Sequence, residues 1–162
     1  RYGPAMDTVV LDYQDLILCS TQAAMRQAKA CRQGVRGHDH GSSSKRGVAR
    51  RLGDKVLGEV GETALAQALE LPKTSSQNPF DQGDVVDGFE VRATEHQGGH
   101  LLLYDSDLDA RFFLAIVTFG ERQIHVELPG WIMAADGRRE EWKRDADPPC
   151  YWVPQRALTP IN

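Results

Sequence analysis

The chain has 162 residues, 41% hydrophobic and 26% charged, with a formal net charge of -4 at pH 7. That length suits one domain able to bury about two-thirds of its unfolded surface and leaves little room for a second. No apolar run approaches the ~20 residues of a membrane helix, the longest clear one being Phe112 to Val117. Cys19, Cys31 and Cys150 are far apart and odd in number, which indicates neither a disulfide framework nor a zinc site and fits a reducing, cytoplasmic compartment.

Residues Arg1 to Ala5 read as an expression remnant outside the fold, and Met6 leads into Asp7-Thr8-Val9-Val10 with no signal-peptide pattern. Residues 6 to 162 are then one domain, with 6 to 55 a basic helical arm and loop and 56 to 162 the core. Asp12 to about Gln33 reads as a helix whose apolar side holds Leu11, Leu16, Ile17, Ala23, Ala24 and Ala28. Gly34 to Gly47 is a Gly/Ser loop, and the His38-Asp39-His40 within it is a weak metal candidate because a flexible segment does not preorganise ligands. Residues 26 to 55 hold nine Lys/Arg against two Asp, net +7, whereas residue 56 onward holds nine basic and eighteen acidic residues, net -9. Arg36, Lys45, Arg46, Arg50, Arg51 and Lys55 would attract a polyanion, while the acidic remainder would concentrate cations.

Asp54 is placed to cap a helix from Lys55 to about Glu70. On its wheel Leu57, Val60, Gly61, Ala64, Leu65, Ala68 and Leu69 form one broad side. Glu62 falls at the edge of that side, able to reach toward a sheet, and Glu59 lies opposite as a surface charge. Pro72 to Gln82 is a linker. Asp87-Gly88 before the alternating Phe89, Val91 and Ala93 signals a hairpin. A two-residue loop would point Asp84 and Glu90 apart. A three-residue loop with Gly88 in a bulge pairs Asp84 with Glu90 and puts Asp84, Glu90 and Arg92 on one face, and it is preferred because it separates charged from apolar residues. Two carboxylates at cross-strand distance repel by an amount that water or a cation must offset, and a divalent cation is the natural solution.

Further on, Glu95 to Gly99 is a turn, His100 to Tyr104 a strand, and Arg111 to Phe119 a strand apolar enough to be central. Asp105 to Asp109 lacks the central Gly and distal Glu of a calcium loop and reads as a turn. Gln123 to Trp131 is a strand, Gly137 to Lys143 a short helix, and Tyr151 to Gln155 an edge strand. Trp131, Trp142 and Trp152 are assigned to packing rather than to base stacking, and His96, His100 and His125 to structure or surface, with His96 near a strand end that a substrate could pass.

The order Gly58-Glu59-Val60-Gly61-Glu62 on a helix, then Asp84, then Glu90-Val91-Arg92, resembles the PD-(D/E)XK nuclease superfamily, across roughly residues 50 to 155. Gly130-Trp131-Ile132 and Val153-Pro154-Gln155 also resemble small phage and prophage proteins of that superfamily. Gly83 stands where the family has Pro, and Arg92 where it has Lys. The resemblance implies an α/β (α+β) fold, a central mixed sheet flanked by helices in a restriction-endonuclease-like core. It also implies a phage-encoded deoxyribonuclease using Mg²⁺ or Mn²⁺. Asp84 and Glu90 would hold the ion with the Val91 backbone carbonyl, and Glu62 would bind a second ion or orient water. Arg92 stays protonated, so it can steady a phosphate but not deprotonate water. DNA is the partner implied, and one chain or two on a duplex stay open. Two other readings remain: a nucleic-acid-binding relative with a decayed site, and a phage structural or host-interaction protein.

Overall fold

A computed structural model describes residues 7–32, 47–71 and 89–161. The Gly/Ser loop with Arg36, His38, Asp39, His40, Lys45 and Arg46 lies outside the described residues, and so do the linker, the expected hairpin turn and the expected strand with Asp84. Strands β1 (Asp7–Asp12), β5 (Gln123–Met133), β4 (Arg111–Phe119) and β2 (Phe89–Thr94) form a mixed sheet in the order β1-β5-β4-β2. Strands β3 (Leu101–Tyr104), β7 (Cys150–Val153) and β6 (Lys143–Arg144) form a second sheet in the order β3-β7-β6. Helices α1 (Tyr13–Arg32) and α2 (Val48–Ala68) complete the α+β fold with the one-turn α3 (Ala134–Gly137). Among the described residues no helix is long and apolar enough to cross a membrane.

The pleat of β4 divides the core in two. Phe113, Ala115 and Val117 face α2, joining Val60, Ala64, Leu65 and Val91, whereas Phe112, Leu114 and Ile116 face the second sheet, joining Leu101, Leu103, Tyr151 and Val153. A strand buried on both sides reads as a continuous apolar run, which is why β4 was legible as central. Helices α1 and α2 therefore cover one face of the large sheet, and the small sheet, with the one-turn α3, covers the other.

Strand β1, missed in the sequence, pairs antiparallel with β5, and Leu11 belongs to it rather than to the helix. Asp12 ends that strand and caps α1. Its Oδ1 accepts from the Gln14 and Asp15 backbone N–H groups at 2.7 and 2.9 Å, while Asp15 Oδ2 accepts from the Asp12 N–H at 3.1 Å. The side of α1 that packs inward holds Cys19, Ala23 and Ala30, so Ile17, Ala24 and Ala28 are exposed, contrary to expectation. Helix α2 starts seven residues earlier than expected, at Val48 after Gly47, which leaves Asp54 inside the helix rather than at its cap. At Gly61 the helix lies close against the sheet. A Cβ at Gly61 would lie 3.1 Å from carbons of Val91, Ala93 and Ala115.

The expected strand over Gln123–Trp131 runs two residues further, and the helix expected over Gly137–Lys143 is replaced by α3 and a single 3₁₀ turn at Glu140–Trp142. Strand β7 is the middle of its sheet, hydrogen-bonded on both sides to β3 and β6, rather than an edge. Pro154 lies just beyond it, where a missing N–H does no harm.

Candidate functional site

Strand β2 pairs in parallel with β4, matching Glu90 with Phe112, Val91 with Phe113 and Arg92 with Leu114. Val91 packs against Gly61 of α2, so its neighbours in the strand, Glu90 and Arg92, project from the opposite face, toward the second sheet. The shared face expected for Glu90 and Arg92 is thus present. Arg92 is held there on two sides. Its Nη2 donates to Asp107 Oδ1 at 2.7 Å, and its guanidinium carbon stands 5.2 Å from the Phe112 ring centre.

Asp107 is itself fixed. Its Oδ2 accepts the Tyr104 N–H at 2.9 Å, and its backbone carbonyl accepts from Arg138 Nη2. The Asp105–Asp109 segment is a turn, as expected, and its work is to orient Arg92. Asp105 Oδ1 also accepts the Tyr151 hydroxyl at 3.0 Å, and this bond, with burial, raises the Tyr151 pKa above the ordinary 10.0.

A cleft of about 460 Å³ opens between β2 and β3, which diverge after the turn that joins them. Arg92, Thr94, His96, His100, Tyr104 and Trp152 line it over a floor containing Leu114. The turn between the strands is tied down. Gln155 Nε2 donates to the carbonyls of Gln97 and Gly99 at 2.9 and 3.0 Å, and Gln97 Nε2 donates to Thr118 Oγ1 at 2.8 Å. His96 and His100 are thereby held at the rim by a residue of the Val153-Pro154-Gln155 motif.

Glu62 is elsewhere. It lies on α2, across the sheet from Glu90, and Arg26 of α1 reaches both Glu59 Oε1 (2.7 Å) and Glu62 Oε1 (3.5 Å) from one nitrogen. Glu59, expected on the surface, is 1% exposed and Glu62 5% exposed. The wheel of α2 considered only the side facing the sheet, whereas α1 covers an adjacent side. There Cys19 Sγ meets Thr63 Oγ1 at 3.3 Å, and Thr63 donates to the Glu59 carbonyl at 2.7 Å. The structure brings Glu90 and Arg92 together and does not bring Glu62 to them.

Of the expected polyanion-binding residues, Arg50, Arg51 and Lys55 are on the N-terminal half of α2, with Arg50 exposed. Among the described residues no three His, Cys, Asp or Glu side chains gather into a metal-binding group. The donor chemistry of Glu90, a hard carboxylate oxygen, suits Mg²⁺ or Mn²⁺, but the described residues supply only part of a ligand set and Asp84 lies outside them.

Trp152, His100, Arg144 and Arg156 gather beside the cleft, which the sequence reading did not anticipate. The available signal was alternation: with Tyr151 and Val153 buried, Trp152 must point outward, and it is 42% exposed. Trp131 and Trp142 pack against the two core clusters, as expected. Comparison with known proteins found no matching family model, no matching curated protein and no matching solved structure.

Proposed function

We propose that the protein is a metal-dependent deoxyribonuclease that hydrolyses phosphodiester bonds at the β2 face. The observation that carries this reading is the common projection of Glu90 and Arg92 toward the face on which the cleft opens, with Arg92 lining it. Asp84 and Glu90 would hold Mg²⁺ or Mn²⁺, with the Val91 carbonyl as a further oxygen ligand. Bound there, such an ion would supply an activated water and neutralise charge on the phosphate. Arg92, always protonated and already oriented by Asp107, grips a phosphate oxygen in the transition state. The basic residues of α2 add long-range attraction for DNA. The setting that fits is the cytoplasm of a bacterial host of a phage, with one copy of the chain or two on the nucleic acid.

Plasmid nicking tests the reading. Wild type nicks supercoiled DNA with Mg²⁺ and not with a chelator, and Glu90→Ala loses the activity by at least about 100-fold, as expected for a group acting in the transition state. No nicking of any DNA form with any divalent ion would end it. A second reading, nucleic-acid binding without cleavage, is favoured by one observation: Glu62 is engaged by Arg26 on the other face, so the helical carboxylate is not at the proposed site. Under it, wild type binds DNA with a marked salt dependence and never cuts.

A further inference from the structure

The outer face of the small sheet carries an aromatic group with no part in either core. Trp152 lies opposite Leu102 of β3 with its indole outward, and the His100 ring stands 5.6 Å away at 37°. The Arg144 guanidinium is 5.9 Å from the Trp152 ring centre. A second cavity of about 480 Å³ lies beyond this pair, lined by Trp142, Arg144, Pro154 and Arg156 together with Glu141. Trp152 and His100 line both cavities, so the two form one path past the exposed indole. Arg92 stands in the first, and Arg144 and Arg156 in the second.

We infer that this path holds a single, unpaired nucleic-acid strand, with a base stacked on Trp152 and backbone phosphates met by Arg144 and Arg156 on one side and Arg92 on the other. An exposed aromatic face flanked by cations matches a polyanion whose units have flat, accessible π-faces. In a duplex those faces are covered by neighbouring bases, and an indole on an open sheet has no purchase on them. The inference deepens the reading that the chain acts on nucleic acid by naming the single strand as its substrate, and it rests on that reading. Glu90 lies two residues from Arg92 on the same strand face, so the Arg92 end of the path lies beside the proposed site of hydrolysis.

The test is fluorescence anisotropy in chelator, with a labelled oligothymidylate of about 12 nucleotides and a duplex of the same length. Wild type is expected to bind the single strand more tightly than the duplex. Trp152→Ala weakens that binding about tenfold and Trp152→Phe largely preserves it, while Arg144→Gln flattens the log-log salt dependence by roughly 0.7. Equal binding of duplex and single strand overturns the inference, as does unchanged affinity in Trp152→Ala. Displacement by free thymidine monophosphate at matching occupancy, or by a proline-rich peptide, also overturns it, by assigning the path to a nucleotide or a protein segment. Because no divalent ion is present, the result is separate from cleavage: binding without nicking removes the nuclease reading alone, and nicking without Trp152 dependence removes this inference alone.

Discussion

Arg26 ties α1 to α2 through two ion pairs. One of its nitrogens lies within salt-bridge distance of two carboxylates that are almost wholly buried, and removing it takes one cationic partner from each of them. Arg26→Ala is expected to destabilise the fold by about 3 kcal/mol in urea unfolding, whereas a loss under about 0.5 kcal/mol would show that the cluster bears little on stability. Tyr151 gives a residue-scale prediction on pH. Its folded pKa lies above 10.0, so the native state keeps the phenolic proton longer than the unfolded chain does. That contribution is complete below pH 10.0 and is lost as pH rises through the folded value. Tyr151→Phe should therefore show a shallower fall in stability above that pH than wild type, and parallel alkaline curves would contradict the Tyr151–Asp105 bond. Neither residue was legible as a partner in the sequence, because Arg26 and Glu59 are 33 positions apart and the wheel of one helix cannot show what a second helix covers.

At the scale of elements, the close approach of α2 to the sheet depends on Gly61 and not on Gly58. An alanine in a helix interior normally gains about 0.5–1 kcal/mol over glycine, and Gly58, with nothing within 4 Å of a built Cβ, should show that gain. Gly61 should not. Its Cβ would meet three carbons fixed on β2 and β4 at 3.1 Å, so Gly61→Ala is expected to cost about 1–2 kcal/mol net. Thermal melts of the two variants should move in opposite directions, and a stabilised Gly61→Ala would mean that the helix sits further from the sheet. Gly130 is more constrained still. It has φ of 142° beside the Thr159 backbone, where Trp131 and Thr159 exchange hydrogen bonds of 2.9 and 2.8 Å. The strands β2, β4 and β5 were legible because alternation and a doubly apolar run are local signals. Strand β1 and the central position of β7 were not, since Asp7–Asp12 is short and pairing order depends on long-range contacts.

Across the whole molecule, the large sheet separates two chemistries. On the helix side, a buried charge cluster of Arg26, Glu59 and Glu62 fastens α1 to α2. On the other side, charge and aromatics are open to solvent along the path from Arg92 to Arg156. The sequence showed which carboxylate shares a strand face with Arg92 but not that Glu62 would be turned to the opposite side, because the pattern of α2 allowed either neighbour to claim it. On the proposed function, a catalytic ion would bind on the β2 face, independently of the α1–α2 cluster. Mn²⁺ titration followed by electron paramagnetic resonance tests it most directly. Wild type and Glu62→Gln should bind the ion alike while Glu90→Ala loses the strong site, and retention by Glu90→Ala with loss in Glu62→Gln would contradict the account.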